Sequence, residues 1–509
     1  MFAKCCGATT VGVDGQIIDV EVDVANGLPG IEMIGLPDTM VREAKERVRT
    51  AVKNSGIKIM PQKVTINLAP AGLRKDSPGL DLPIAMAMLV AYGVLSQASL
   101  EGNLFSGELS LEGQIRGVAG ILPMAIKAKE QGFKAFFVAG ENVNEALLVE
   151  GLRVYRVDSL QELVEFLTGK VSWEPAVAVE NEQETNEEVI EDFADVQGQF
   201  VAKRAFEIAA AGGHNILLVG SPGAGKTMLA RRLNSILPAM TLQEALEVTK
   251  IYSVSGLLKK NSGLITQRPF RSPHHTTSSV AMIGGGSIPH PGEVSLSHNG
   301  VLFLDELPEF HKQTLEALRQ PLEDGEVSIA RVNASLTFPS RILLCCSMNP
   351  CPCGYYHDPD KQCECSYAEI KRYNRKISGP LLDRIDIQIR VPRVTYNELT
   401  RKEKAESSAV IRQRVSAARN RQLKRLEKYG IVCNAQMTSS ILKKTCHIAP
   451  EAQNLLKAAF IEKNMSARSF DRVKKVAQTI ADLANSDEIT AAHLAEAIQL
   501  RNDIGINYE

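Results

Sequence analysis

Apolar positions along this chain change their spacing several times, and each change marks a boundary. Over residues 1–170, short β-branched or aromatic runs (VTINLAP at 64–70, AFFVAG at 135–140, LRVYRV at 152–157) alternate with stretches such as TMVREAKERVRTAVKNSG at 39–56, where apolar residues return every three or four positions. Strand side chains alternate faces and helical ones repeat every 3.6 residues, so the mixture predicts an α/β module. Residues 171–195 lose the pattern. From Glu174 to Asp195 the chain holds nine acidic residues and almost no large apolar ones before Phe193. Such a segment buries too little surface to offset its ordering entropy and reads as a solvated linker.

From 196 to 393 strands and helices alternate: NILLVG, TMLARRLNSIL, GVLFLDEL, RILLCCSMN, then IQIRVP near 392. This predicts a parallel sheet with helices on both faces. The remainder is helical in pattern. A basic connector at 394–438, arginine-studded over 401–428, precedes a segment 439–509 with three or four amphipathic helices between Ser439 and Leu500. No repeat of 20 to 50 residues is present.

Composition narrows the function classes. Lysine plus arginine (58) nearly balance aspartate plus glutamate (59), so no whole-protein field draws the chain to nucleic acid or anionic lipid, and any nucleic-acid surface has to be local. The longest apolar stretches, such as PIAMAMLVAYGVL at 83–95, are shorter than the ~20 residues that cross a bilayer. MFAKCCGATTVG lacks the apolar core of a secretory signal, so a cytoplasmic protein without membrane contact is expected. Ten cysteines in a chain this long are not a disulfide framework.

The chemistry begins at residues 220–227. Gly220, Ser221, Pro222, Gly223, Ala224, Gly225, Lys226 and Thr227 form GxxxxGKT between an apolar strand and a helix, the context a phosphate-binding loop requires. The glycines let backbone amides turn toward phosphate oxygens, Lys226 offers charge to the β/γ-phosphates of ATP, and Thr227 offers a hydroxyl to Mg²⁺. VLFLDE at 301–306 ends a buried strand in two carboxylates: Asp305 suits the magnesium shell and Glu306 the general base. Two acids ending a strand could be a helix cap, a reading the P-loop partner disfavours. RILLCCSMN places Asn349 where a third strand's end approaches the γ-phosphate.

Cys351, Cys353, Cys363 and Cys365 form two CxC pairs across a nine-residue loop, enough thiolates for a closed zinc site. Free thiols or a redox pair are the alternatives, and His357 could replace a ligand. Cys345 and Cys346 read as core thiols. EDGEVSIAR at 323–331 reads as a hairpin turning at Asp324-Gly325, and Pro273-His274-His275 as ordering a loop or subunit contact.

Beyond these motifs, Asn349 resembles sensor 1 of AAA+ ATPases. SGPLLDRIDIQIRVP at 378–392 resembles the arginine-finger segment of magnesium-chelatase ATPase subunits and ring helicases, with Arg384 as finger; SARSFDRVKKVAQTIADL at 466–483 resembles sensor 2, with Arg468 reading the nucleotide. Alone, each arginine would more often be a surface salt bridge. GLPGIEMIGLPDTMVREAKERVRTAVKNSG, VTINLAPAGLRKDSPGLDLPIA, FADVQGQ at 193–199, RPFRSPHHTTS at 268–278, PGEVSLSHNGVLFLDELPEF and NPCPCGYY extend the resemblance over essentially the whole chain to the ComM/YifB family of magnesium-chelatase-like AAA+ proteins. One departure is Gln478, where relatives tend to have arginine; its effect is expected to stay on the helix surface.

The resemblance implies an N-terminal domain with the Lon-protease fold (ribosomal S5 domain 2-like), an AAA+ αβα core and a C-terminal helical lid. It aligns Gly79 with the protease nucleophile and Met124 with its lysine, so a non-catalytic scaffold or DNA-contacting module is expected there, Ser77 standing two residues early. It also implies a homo-oligomeric, hexameric ring acting on single-stranded or branched DNA as a helicase or branch-migration motor in recombination of incoming DNA. Segments 284–300 and 323–331 would then line the pore, with Arg331 a candidate DNA contact. A chelatase motor subunit and an ATP-switched assembly protein are the competing readings. An intact Glu306 disfavours the switch, which needs no base.

Overall fold

The computed structural model describes residues 1–177, 191–259, 263–286, 289–331, 334–396, 405–463 and 465–501. Two compact units emerge: Met1–Glu184 with Leu242–Ile265, and Thr185–Thr241 with Thr266–Glu509.

The first unit opens on a hairpin, β1 (Phe2–Val11) and β2 (Asp14–Ala25), paired from Phe2↔Asp23 to Val11↔Asp14. Alternation in IIDVEVDVA turns Ile18, Val20, Val22 and Val24 into the core, and Gly12 takes the positive φ (63°) of the turn. With β3 (Gly30–Ile34), β4 (Lys63–Ala69), β5 (Asn103–Ser106), β6 (Ala135–Ala139) and β7 (Arg153–Val157) they form a mixed sheet, ordered β3-β4-β2-β1-β5-β6-β7. Helix α1 (Thr39–Asn54) is amphipathic, whereas every residue of α2 (Asp81–Ala91) is buried. That explains its all-round apolar sequence: it is a core helix. Among the described residues no helix is long and apolar enough to cross a membrane.

In sequence the helix Leu242–Val254 lies within 196–393, yet it belongs to this first unit. Its Leu246 packs beside Ile121 and Ala125 of α3 (Ile121–Glu130). Ser253 donates to the buried Glu145 carboxylate, which also accepts the Leu122 amide at 2.7 Å.

The second unit carries a five-stranded parallel sheet. Its strands are β8 (Ile216–Val219), β9 (Phe270–Arg271), β10 (Val301–Leu304), β13 (Leu343–Met348) and β14 (Ile387–Arg390), ordered β9-β10-β13-β8-β14. Between β10 and β13 lie α6 (Arg319–Asp324) and a separate hairpin, β11 (Glu326–Arg331) with β12 (Ala334–Pro339). Asp324-Gly325 is therefore not the hairpin turn. Gly325, at φ 70°, caps α6 and donates its amide to the Pro321 carbonyl, because a left-handed glycine serves a helix end as readily as a hairpin.

Helices α4 (Phe200–Gly212) and α5 (Lys226–Ile236) flank the sheet, and α4 packs against α7 (Ser408–Leu426) and α8 (Ala467–Leu483). Within 439–509, four helices are described: Ser439–Thr445, Pro450–Glu462, α8 and Ala491–Gln499. Four arginines of α7 are paired: the exposed Arg414 to Glu207, Arg419 to the Ala210 and Ala211 carbonyls, Arg421 to the exposed Asp487 and Arg425 to the buried Asp482. Gln478 is buried beside Asp482 (3.4 Å) rather than on the helix surface.

Asp386, at the head of β14, ties α8 to the sheet. Its carboxylate accepts from Arg472 and lies 3.2 Å from His214 Nδ1, whose Nε2 stands 2.8 Å from Thr479 Oγ1. Burial alone would push the Asp386 carboxyl up; Arg472 and His214 outweigh it and hold it well below the usual carboxylate range. The depressed pKa makes its stabilisation present above the unfolded value of ~3.9 and lost as pH falls through the folded one. Asp386→Ala is expected to destabilise the second unit by about 3–5 kcal/mol in chemical denaturation, since Arg472 loses its buried partner. That difference should hold steady at and above pH ~5 and shrink only below pH ~4.

Candidate functional site

Parallel strands deliver their C-terminal ends to one edge, the place where ligands bind in open α/β sheets. There β8 runs into Gly220–Thr227, with Gly223 and Gly225 at φ 79° and 85° and α5 following. A Cβ on Gly220 would stand 2.3 Å from the Val391 carbonyl oxygen, so glycine is required where β14 passes. Lys226 Nζ donates to the carbonyls of Gly220 (2.7 Å) and Ser221 (3.1 Å) and to Asn349 Oδ1 (3.1 Å). Burial lowers the Lys226 pKa, with Asp305 and Glu306 opposing.

At the end of β10, Asp305 Oδ2 accepts from Thr227 Oγ1 at 2.8 Å, and Oδ1 accepts from Ser347 Oγ and the Glu306 amide. The structure thus brings Lys226, Thr227, Asp305 and Asn349 together. Glu306 is exposed at φ 53°, its carboxylate 3.8 Å from His275 Nδ1. His275, expected from sequence to order a loop, therefore stands beside the second acid.

Three contributors are not visible from the motifs. Ser347 lies two residues before Asn349, so strand periodicity puts both on one face. Gln199 of FADVQGQ donates to the Pro392 carbonyl (2.6 Å) and reaches Ala224 O (3.4 Å), joining P-loop to β14. Asp358, inside the cysteine-rich loop, accepts from Ser221 Oγ and lies 3.5 Å from Arg393 Nε. Strand period could have found Ser347; no local signal announces the other two.

Arg384 and Arg468 lie elsewhere. The Arg384 carbonyl accepts from Asn215 Nδ2 at 2.9 Å, at the entry to β8. Gly220 is five residues further along that strand, about 16 Å away at ~3.3 Å per residue. Arg384 is buried, donating to Glu323 on α6 and to Pro380 O (2.8 Å). Arg468 is exposed, 3.9 Å from the same Glu323. The two arginines thus converge on one carboxylate at the strand-entry edge. Arg331 closes β11, but its side chain lies outside the described residues.

The four thiols cluster. Cys351 Sγ lies 3.3 Å from Cys353 Sγ and 3.7 Å from Cys363 Sγ, Cys353 and Cys363 are 3.6 Å apart, and all four sulfurs fall within 4.8 Å of one another. Thiolates at ~2.3 Å from a tetrahedral zinc stand about 3.8 Å apart, so the donor set fits that ion. The shifts within the cluster diverge: burial pushes the Cys351 thiol up to about 12 and Cys365 up, whereas at Cys353 the Tyr355 and Glu364 amides outweigh burial and bring it down to about 6.

In the first unit, Gly79 and Met124 meet at one serine. Ser106 Oγ donates to Met124 Sδ (3.7 Å), and a Cβ on Gly79 would stand 2.7 Å from that oxygen. Ser77 Oγ accepts the Gly79 amide at 3.2 Å, capping a short helical turn.

Three family models match the chain: magnesium chelatase, subunit ChlI, over 192–399; subunit ChlI of Mg-chelatase over 20–142; and the ChlI C-terminal part over 405–501. The chain is 44% identical over 495 residues to the uncharacterized protein YifB of Escherichia coli (strain K12), covering 96% of this chain and 95% of YifB. It is 42% identical over 497 residues to competence protein ComM of Haemophilus influenzae, covering 97% and 96%. A shorter likeness, 24% over 170 residues and 30% of each chain, is to Lon protease 2 of Bacillus subtilis. Together with the mixed α/β architecture these fit a P-loop fold of AAA+ type and suggest ATPase activity. Likeness of 42–44% sustained over 96–97% of its length makes this chain a member of the ComM/YifB family of magnesium-chelatase-like proteins.

Proposed function

We propose that the protein is a ring-forming AAA+ ATPase that works on DNA, using ATP hydrolysis for helicase movement or branch migration during recombination of incoming strands. One observation carries the ring: the phosphate loop and Arg384 occupy opposite edges of one parallel sheet. A site that uses both therefore draws them from two copies of the chain, and a closed ring, six subunits in our reading, supplies every pocket with a neighbour. The name of ComM, a competence protein, supports DNA as the partner.

In this reading Gly220–Thr227 cradle the triphosphate of ATP, and Thr227 with Asp305 hold Mg²⁺. Asn349 positions the γ-phosphate and attacking water, and Glu306 takes the water's proton. Arg384 and Arg468 of the next subunit neutralise charge that builds on the transferring phosphoryl group. Cys351, Cys353, Cys363 and Cys365 would hold zinc, which supplies a structural cross-link. The first unit is not a protease, because the Met124 thioether can neither accept a proton from Ser106 nor stand in for an amine.

The description of the matching family favours a second reading, a motor subunit that drives Mg²⁺ into a porphyrin through a partner. The likeness to a competence protein over nearly the full length of both chains speaks for the DNA reading.

Glu306→Gln is expected to keep nucleotide binding and lower steady-state ATPase by ~10²- to 10⁴-fold, the usual cost of a positioned base; unchanged turnover would remove Glu306 from the role. Arg384→Ala should lose hydrolysis by ~10³-fold or more. Mixing it with Lys226→Ala chains should restore part of the activity, because one parent keeps the pocket and the other the finger. No recovery at any ratio would rule out a shared site. Forked DNA should stimulate ATPase of assembled rings, with affinity falling by roughly 0.7 to 0.9 log units per phosphate contact for each tenfold rise in salt. Stimulation by a porphyrin-bearing partner and not by DNA would establish the chelatase reading instead.

A further inference from the structure

Residues 354–362, between the two CxC pairs, contain no helix or strand, yet they meet the phosphate-binding loop at two points, Ser221 and Pro222, and again through Arg393. Asp358 accepts from Ser221 Oγ, and its side chain is 0% exposed. Its other oxygen accepts the Asp360 and Lys361 amides, each at 3.0 Å, so the carboxylate is fixed by its own turn before it reaches Ser221. Gly354, at φ 87°, lies so close to Pro222 that a Cβ would stand 2.6 Å from the proline ring. Arg393 completes the contact: Nη2 donates to Pro222 O (3.4 Å), Nε lies 3.5 Å from Asp358, and its guanidinium sits 5.4 Å over the Tyr355 ring.

We propose that the cysteine-rich loop is a metal-set strap on the phosphate-binding loop, with Asp358 as a positioning residue that holds Ser221 and so raises nucleotide affinity. The physical logic is pre-organisation. A loop without regular structure keeps a fixed shape only if its base is closed, and a metal on Cys351, Cys353, Cys363 and Cys365 closes it one residue past the Asn349-Pro350 pair at the end of β13. The strap brings no bare charge to the phosphates, because Arg393 faces the Asp358 carboxylate. Asp358 touches the outer rim of the cradle through a side chain, leaving the loop's amides free to turn toward phosphate.

The inference rests on the proposed ATP site and on the cysteines holding a metal, and the experiment separates the three. On the full-length protein, metal is counted by elemental analysis, affinity is read with a fluorescent ADP analogue, and fold is checked by thermal unfolding. Stripping zinc from the wild-type chain with a chelator is expected to weaken analogue binding about tenfold, the effect of losing one hydrogen bond to a charged acceptor. Asp358→Ala should keep its zinc and a cooperative unfolding transition, bind about tenfold more weakly, and lose little more when stripped. Adding Ser221→Ala to Asp358→Ala should cost less than Ser221→Ala costs alone, the coupling expected of contacting residues. Equal wild-type affinity with and without zinc overturns the strap; so does an Asp358→Ala chain that stays as metal-sensitive as wild type. A wild-type chain that binds no analogue removes the ATP-site reading, and one purified without chelator yet free of metal removes the cysteine reading. Either takes the strap with it.

Discussion

Strands that all run one way enter a sheet through one edge and leave through the other, and this constraint divides the chemistry of the protein between two surfaces. The register pairs Ile216 with Ile387 and Val219 with Arg390, so β8 and β14 are aligned end for end. Residues just beyond the strand ends, Gly220–Thr227, Asp305, Asn349 and Arg393, meet at the exit edge. Residues just before the strand starts, Asn215 and Arg384, meet at the entry edge, about 16 Å away at ~3.3 Å per residue. No rotamer of Arg384 bridges that span. The burial of its guanidinium on Glu323 follows from the same geometry: within the chain there is no phosphate site for it to serve.

The entry edge around Arg384 is densely anchored. Asp386 accepts from Arg472, Arg501 donates to the Ile385 carbonyl at 2.7 Å, and Asn215 binds the Arg384 carbonyl. Arg472 and Arg501 both belong to the C-terminal helical segment, so the Arg384 turn, the sheet and that segment are held by one polar cluster. Buried charge pairs contribute little net stability against apolar packing, but they fix geometry where removal of one partner is costly. Arg419 and Arg425 of α7 are used in the same way, whereas Arg412 and Lys424 on the same helix stay exposed and leave it a local basic surface.

Sequence reveals here the chemistry that repeats at fixed spacing. The GxxxxGKT loop, the apolar strand ending in Asp305 and the two CxC pairs are each recognisable from residues a few positions apart, and the structure brings Lys226, Thr227, Asp305 and Asn349 together and gathers the four thiols. Short β-branched or aromatic runs identify β4, β6 and β7, and helical period identifies α1. The opening hairpin carries the same alternation in IIDVEVDVA, outside the runs expected as strands. Asp324-Gly325 misleads because one dipeptide serves two turns, and only the helix before it decides which. Gln199, Asp358 and Glu323 are not legible. Each acts on a residue more than twenty positions away, and single-sequence patterns carry no information at that range.

Glu323 joins the two themes. It sits on α6, two residues before Gly325 and three before the hairpin β11–β12, and it holds both Arg384 and Arg468. A carboxylate and a phosphate compete for an arginine on similar geometric terms, since both present oxygens to the planar guanidinium fork. On the proposed function, then, a neighbour's nucleotide that draws Arg384 away leaves Glu323 without its buried partner, and α6 loses a contact fixing it to the entry edge. The hairpin is continuous with α6 through Gly325, a residue with the backbone freedom to absorb a change of angle. On that reading the carboxylate that binds Arg384 within one chain would link the occupancy of one subunit's phosphate site to the hairpin of the next.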